Sequence, residues 1–543
     1  MATSGKAFGQ AAAALAGAAV LAAVIFGQGR ANAIEVAPGA VEARADGRCS
    51  LVEAIRNANN EANGLVYPDC AAGDPSGGDV INLPAGSVFR LTQPHNQSDF
   101  GPNGLPWVGT EVTINGNGAT IWRPSTAPEF RVFAVGPSGN LTLNRVSIEG
   151  GLVADHPGAG ILNQGRLTVR DSQVRANYGE GIYSSDDAGR AAALTVTGST
   201  ISANGAEGIW SRNGTALVVN STLSGNGGGG LLNGRDGVMT VVNSTITANT
   251  GTNYGGGVFN FQGRLTLQRN VLSGNSAPQA AEVYNTGQIT TGDNLLAHAG
   301  MTTAQAFGNF MPGASDMNGA ADALALPLAA ILDSTLANHS GPTPTHALPP
   351  GSPAIDRAAN ALCAAAPVSG GDQRGQPRNT DGNGAPSANE CDLGAHEAQG
   401  SAEPTPTPPP PGQALAFVPA VTYSQPPFAG PFEAEPNNNP LLANGPILLD
   451  QPYLGLPNDA RDYYYVDLPA VASLSVALSG YVGRNPQLQV LRGGELLAYD
   501  WNEPFQIVLT DQPAGRYFVM VYVDGWYSQS ESYTLRVTAT GSQ

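Results

Sequence analysis

Two glutamates interrupt a column of small residues. A glycine followed by an apolar residue recurs as Gly160-Ile161, Gly181-Ile182, Gly208-Ile209, Gly230-Leu231 and Gly257-Val258, and the residues before these glycines are Ala159, Glu180, Glu207, Gly229 and Gly256. If the steps stack, Glu180 and Glu207 lie about one strand spacing apart, ~5 Å. Paired carboxylates at that separation suit acid–base and nucleophilic chemistry on a glycosidic bond. The residues after the apolar position are Leu162, Tyr183, Trp210, Leu232 and Phe259, with Arg212 two residues beyond Trp210 and Asp155-His156 one coil earlier. Aromatic faces, carboxylates and a guanidinium together make a sugar-binding patch. A plainer reading also fits: stacked like charges line a solvated turn, and the aromatics fill the interior. The candidate ligand-binding set is Glu180, Glu207, Tyr183, Trp210 and Arg212. No residue is assigned as catalytic, and metal binding is left undetermined.

These residues matter only if a scaffold stacks them, and the same region supplies one. A short apolar strand, Ser or Asn, an apolar residue and a closing Asn recur, ending at Asn177, Asn204, Asn226, Asn249 and Asn275, at intervals of 27, 22, 23 and 26 residues. Self-similarity at this period is the signature of a solenoid. The runs are short, β-branched and punctuated by Gly and Asn, without helical periodicity or the fixed leucines of leucine-rich repeats. Asn tolerates a left-handed bend, and Asn side chains stacked at ~4.8 Å can bond as a ladder; the two roles are compatible. Val174, Ile201, Leu223, Ile246 and Leu272, preceded by Ile148, form one interior stripe. A single coil cannot bury such a face, so stability comes from neighbouring coils. The expected fold is all-β, with a parallel β-helix over residues 111–300. Its right hand is implied by similarity to known β-helices. The segment Gly255-Gly256-Gly257-Val258-Phe259-Asn260 resembles repeats in bacterial surface β-helices of the polymorphic membrane protein type.

Residues 1–33 read as a signal peptide: Lys6, an uncharged apolar run from Ala11 to Phe26, and an Ala31-Asn32-Ala33 cleavage site. The run is slightly long, so an uncleaved anchor is the alternative. No other stretch is long and apolar enough to span a membrane. Without Lys6 and Arg30, the mature chain keeps 23 basic residues against 43 acidic ones, a net charge of −20, and contains no lysine. That surface argues against nucleic acid as a partner. It would also repel a polyanionic glycan unless Ca²⁺ intervened; solubility outside the cell with arginine-favouring codon usage is the plainer and preferred reading. Cys49, Cys70, Cys363 and Cys391 fall into two local pairs. Export makes disulfides reasonable, and Cys49–Cys70 with Cys363–Cys391 is preferred among the three connectivities.

Both ends of the solenoid need capping. Leu51, Ala54, Ile55 and Ala58 share one face at helical spacing, so a short amphipathic helix is expected there. The string Cys49-Ser50-Leu51-Val52-Glu53-Ala54, with Asp69-Cys70 and Leu83-Pro84-Ala85-Gly86 downstream, resembles the CSLREA domain; Val52 stands where Arg is usual. This resemblance covers residues 34–110, as an N-terminal cap and first coils. Gly351-Ser352-Pro353-Ala354-Ile355-Asp356, Asp372-Gln373-Arg374-Gly375 and Cys391-Asp392-Leu393-Gly394-Ala395-His396-Glu397 resemble the choice-of-anchor Q domain, here residues 301–397, with His396 where an aromatic is common. That likeness implies the C-terminal end of the helix. His346, Asp356, Asp372 and Arg374 read as a polar network that fixes an irregular cap rather than as catalysts.

Residues 398–432 form a Pro/Thr-rich linker, extended and semi-rigid. Beyond it, period-two runs such as Asp462 to Leu468, Leu474 to Leu478 and Tyr517 to Val523 suggest a β-sandwich. Glu435-Pro436-Asn437-Asn438, Asp462-Tyr463-Tyr464, Ala514-Gly515-Arg516-Tyr517 and Tyr533-Thr534-Leu535-Arg536-Val537 resemble the bacterial pre-peptidase C-terminal domain over residues 433–540. The likeness implies a jelly-roll-like module that binds carbohydrate or matrix, in some members with Ca²⁺; Asp459, Asp462 and Asp500 are candidate ligands. No cofactor is otherwise expected.

Two functions follow. The preferred one is a secreted or surface-displayed, non-catalytic β-helix protein for adhesion or for binding polysaccharide or matrix glycans, with the sandwich as a second binding unit that adds avidity. The alternative is a polysaccharide lyase or glycoside hydrolase of the β-helix class, acting on the groove around Glu180 and Glu207. Oligomeric state is not readable from the sequence.

Overall fold

Each repeat of the Asn phrase folds into one coil of three short parallel strands. In the computed structural model, one coil is Ile209–Arg212, Thr215–Val219 and Thr222–Ser224, and the next is Leu231–Gly234, Val238–Val242 and Thr245–Thr247. Pairing is in register, with Ile209 opposite Leu231, Ala216 opposite Met239 and Leu223 opposite Ile246. The structure describes residues 33–541 apart from 60–66, 75–77, 155, 187–190, 383, 385–389, 400–445, 456–460, 469–470, 482–485, 493–494, 502–503 and 524–532. The leader up to residue 32, the linker from residue 400, Asp155, Glu435 to Asn438 and Asp459 lie outside the described residues. The expected interior stripe is present: Ile148, Val174, Ile201, Leu223, Ile246 and Leu272 are all fully buried. Each contributes roughly 1.5–3 kcal/mol by leaving water.

The closing asparagines form a ladder, and they leave the bend to their neighbours. Asn177, Asn204, Asn226 and Asn249 each donate from Nδ2 to Oδ1 of the next Asn at 2.8–2.9 Å. Each of those oxygens also accepts the backbone N–H of the Asn one coil earlier. The left-handed backbone falls one residue earlier, at Ala176, Ala203, Gly225, Ala248 and Gly274. Asparagines do take that conformation at a separate bend, at Asn220 and Asn243. The ladder explains the Gly-apolar steps. A Cβ on Gly181 would stand 2.7 Å from Asn204 Nδ2, and one on Gly208 2.8 Å from Asn226 Nδ2. Register places Ala299 where a further ladder Asn would be. Fully buried Glu282 ends the ladder instead, accepting from Asn275 Nδ2 at 2.6 Å.

The N-terminal end is closed by the helix Leu51–Asn59. Ser50 and Glu53 cap it reciprocally: Ser50 N–H donates to the Glu53 carboxylate, and Glu53 N–H donates to Ser50 Oγ. Leu51, Ala54, Ile55 and Ala58 are fully buried. Val52, where Arg is usual in the CSLREA domain, is buried too. Cys49–Cys70 and Cys363–Cys391 are both disulfide-bonded. Cys49–Cys70 closes 21 residues, a loop length that stabilises by about 3 kcal/mol. The double substitution Cys49→Ala/Cys70→Ala should lower the opening free energy of the N-terminal cap by that amount, read from hydrogen exchange over residues 49–59. An unchanged exchange rate would contradict it.

Only the first part of the segment expected at the C-terminal end, residues 301–320, closes it; the rest lies along the flank. Residues 297–320 close the end, with Ala306, Phe307, Phe310 and Ala320 joining the solenoid core. The chain then reverses over the side of earlier coils, where Ile331, Leu332, Leu348, Cys363, Cys391 and Leu393 cover the outward valines Val219, Val242 and Val271. Thr343 Oγ1 donates to Gly198 O at 2.8 Å, and Ala395 N–H donates to Thr245 Oγ1 at 3.0 Å. The polar network serves this packing. Asp372 pairs with Arg374 at 2.7 Å and accepts the N–H groups of Arg374, Gln376 and Glu397. Asp356 accepts Gly382 N–H. His346 bridges Ser224 Oγ at 2.9 Å and Asp333 O at 2.8 Å.

Burial pushes the pKa of His346 down to about 4 from 6.5. Desolvation, followed by Arg374, pushes His396 to about 3. The unfolded chain takes up these protons first, so their stabilisation is complete above pH 6.5 and is lost as the pH falls toward 4. Asp392 and Glu397, raised by burial to about 7 and about 9, act oppositely: their protonated forms favour the fold, which weakens as pH rises through those values. His346→Gln should therefore cost stability at pH 7 and flatten the loss between pH 6.5 and 4 by roughly 3 kcal/mol. Urea denaturation across that range is the check; parallel curves for the two proteins would contradict it.

Among the described residues, the C-terminal unit is a sandwich of eight strands: Pro452–Gly455, Arg461–Leu468, Ala472–Ser479, Pro486–Arg492, Glu495–Asp500, Phe505–Gln512, Gly515–Val523 and Tyr533–Gly541. The first, eighth, third and sixth strands form one antiparallel sheet, and the second, seventh, fourth and fifth form the other. Two sheets in this order make a jelly roll, as expected. Leu474, Val476, Leu488, Val490, Val519, Val521, Leu535 and Val537 fill its core. Asp462 is buried and accepts the Tyr533 hydroxyl at 2.5 Å. Register runs from Asp462 through Val521 and Leu488 to Asp500. That is three strand spacings, roughly 14 Å, so these two acids do not converge on one ion.

Candidate functional site

Ile209–Arg212, Leu231–Gly234 and their counterparts in the other coils form a parallel sheet of eight strands among the described residues, and its outer face carries the site. Side chains alternate along a strand, so Ile182 and Ile209 point inward while Tyr183 and Trp210 point out. This decides between the two readings of the aromatics. Tyr183 and Trp210 stand opposite each other in adjacent coils, in an edge-to-face contact with centroids 5.0 Å apart. They border a cleft of about 620 Å³, also lined by Phe100, His156, Pro157, Glu180, Ser185, Asp186 and Arg212. Four of the five expected residues, Glu180, Tyr183, Trp210 and Arg212, thus meet in one cleft. Glu207 is not among its lining residues.

Glu207 stacks on Glu180 through the Gly181 N–H to Glu207 O bond of 3.0 Å. Burial above all, with the charge of Glu180, pushes Glu207 up to about 7. Glu180 accepts the Gly158 N–H at 2.9 Å through Oε2. Asp186 accepts Asn213 Nδ2 at 3.1 Å. These hydrogen bonds fix carboxylate oxygens around an aromatic wall, an arrangement suited to sugar hydroxyls over an apolar sugar face.

A hairpin, Asn96–Ser98 with Gly101–Asn103, supplies one wall through Phe100 at its tip. Arg131 holds it there. The guanidinium is fully buried and donates to the carbonyl oxygen of Phe100, to Asn103 Oδ1 at 2.7 Å and to Pro157 O at 3.2 Å. Burial lowers its pKa to about 10, while Glu180 opposes the shift; it stays charged. Sequence reasoning missed both residues. Arg131 had a signal, a charge inside the apolar run Phe130 to Val135, whereas Phe100 sits in a loop without periodicity.

The outer column continues beyond the cleft. Trp210 lies opposite Leu232, Leu232 opposite Phe259, and Phe259 opposite Tyr284. Tyr254 joins Tyr284 and Phe259 at centroid distances of 4.5 and 5.7 Å. The sandwich has a separate exposed pair, Tyr499 and Trp501, with centroids 5.3 Å apart and exposures of 53% and 59%. Among the described residues, no group of three or more His, Cys, Asp or Glu is placed to hold a metal ion.

A family model described as a right-handed beta helix region matches residues 188–308, in keeping with the hand expected above. No curated protein matches the chain. Among solved structures, it is similar to the pre-peptidase C-terminal domain of collagenase from Bacillus anthracis, at 17% identity and a TM-score of 0.15, covering 17% of this chain and 90% of that one. It is also similar to PliG from Aeromonas hydrophila, a periplasmic inhibitor of g-type lysozyme, at 16% identity and a TM-score of 0.13, covering 17% and 82%. A third likeness is to the enzymatically active domain of tailspike protein 4 of bacteriophage CBA120, at 9% identity and a TM-score of 0.26, covering 85% and 64%.

Proposed function

We propose that this is a secreted or surface-displayed β-helix protein that binds a neutral glycan on the outer face of its eight-stranded sheet, without turning it over. The observation that carries this reading is the cleft in which Tyr183 and Trp210 stand beside Glu180, Asp186 and Arg212. Export is supported by two disulfides and by the leader-like first 33 residues. Among the described residues, no helix is long and apolar enough to cross a membrane. In this reading residues 34–110 are a CSLREA-type cap, 301–397 a choice-of-anchor Q-type segment, and 433–540 a pre-peptidase C-terminal-type sandwich. The sandwich acts as a second binding unit through Tyr499 and Trp501.

The test is a panel of soluble glycans presented to the full chain, with binding and new reducing ends measured together. Binding without product, lost in Trp210→Ala, is the expected result. No binding to any member would overturn the proposal. A second reading, a polysaccharide lyase or glycoside hydrolase, is favoured by one observation: Glu180 and Glu207 stand on adjacent coils, linked through the Gly181 N–H to Glu207 O bond. Turnover that disappears in both Glu180→Gln and Glu207→Gln would establish it in place of the first.

A further inference from the structure

Burial along the outer column changes at one coil. Ala134 and Leu162 are 0% exposed and Tyr183 is 6% exposed, with Phe100 and Trp107 packed against them. From Trp210 onward the column is open: Leu232, Phe259 and Tyr284 are each partly exposed, and Tyr254 beside them is 36% exposed. Among the described residues, the groove is therefore roofed toward the N-terminal end and free toward the other. The roof is firmly seated. Arg131 ties the hairpin to the Pro157 turn. The hairpin glycine Gly101 has φ +94°, and a Cβ there would stand 2.8 Å from both His156 and Val153. At the free end, the residue opposite Tyr284 is Gly308, which has no side chain to close the column.

A polymer lying on this face cannot continue past Phe100. We propose, resting on the glycan reading of the same cleft, that the protein recognises the end of a linear neutral glycan. The terminal sugar sits among Glu180, Tyr183, Asp186, Trp210 and Arg212, and the following sugars run one way only, over Phe259 to Tyr284. Trp210 and Tyr284 are three strand spacings apart, roughly 14 Å, the reach of a short oligosaccharide rather than of one sugar. Charge disfavours a polyanionic glycan: Glu180 and Asp186 outnumber Arg212 around the cleft, and the chain's net charge of −18 repels a polyuronate.

The test uses the full chain with linear glucans, mannans and xylans fractionated by length, from disaccharides to long polymers. Calorimetry gives affinity, and light scattering gives the number of proteins per glycan chain. One protein per chain at every length is expected, with affinity rising over the first few sugars and then level. Phe259→Ala should weaken oligosaccharide binding roughly tenfold and leave disaccharide binding unchanged. Phe100→Ala should open the groove and let several proteins bind one polymer. If that variant loses its fold, the stoichiometry of the unaltered protein decides alone. Several unaltered proteins per chain, rising with polymer length, would overturn chain-end recognition and leave the glycan reading standing. Absence of binding to every fraction would overturn both.

Discussion

Replacing Asn226 with alanine should destabilise the solenoid by about 3–5 kcal/mol, since it strands two buried donors at once. Oδ1 of Asn226 accepts both the N–H and the Nδ2 of Asn204, at 3.1 and 2.8 Å. Nδ2 of Asn226 donates to Ile201 O at 3.1 Å and to Asn249 Oδ1 at 2.8 Å. Asn226 is only 1% exposed, so water does not replace these partners. A solenoid holds together by nearest-neighbour interfaces. The loss should therefore appear first as faster amide exchange in the coils of Asn204 and Asn249, together with a fall of roughly 10 °C in the solenoid's melting temperature. Melting of the sandwich should not move. A change under 1 kcal/mol, or exchange spread evenly over the chain, would mean the ladder is incidental.

Trp210→Ala should weaken glycan binding at least a hundredfold, the scale of a central aromatic anchor. The ring borders the cleft and holds Tyr183 edge to face, so truncation removes a wall and frees its neighbour. Stability should fall by only about 1 kcal/mol, the scale of an aromatic pair, because the ring lies on the outer face and the interior Ile209 is untouched. Trp210→Phe keeps a stacking surface and should restore most of the affinity. Equal binding by Trp210→Ala and the unaltered protein, in titrations against the tightest panel glycan, would place the ligand elsewhere.

Much of this was legible from residue types. The Asn period, the interior stripe and the break at Glu180 and Glu207 all follow from stacking in register, which a repeat discloses directly. Other features depend on contacts between distant segments. The flank segment was expected at the end because chain order suggests continuation, yet the strands hold a sign of the reversal. Val218-Val219 and Val241-Val242 are adjacent apolar pairs buried on both faces, where earlier coils have Val169-Arg170 and Val196-Thr197. A strand apolar on both faces needs a cover outside as well as a core inside. Of the two roles that residue type allows the ladder asparagines, bend and ladder, only the second is theirs; the bend belongs to the residue before each, since an Asn in a fully bonded ladder needs its side chain held rather than its backbone turned. The Phe100 hairpin had no periodic signal, and Arg131, buried among apolar neighbours, is what fixes its place.

The most direct measurement is hydroxyl-radical footprinting of the full chain with and without the tightest panel glycan. Protection is expected at Trp210, Phe259 and Tyr284, with Tyr183 already shielded in the free protein. Protection confined to Tyr499 and Trp501, or none at any aromatic, would contradict binding on the solenoid face.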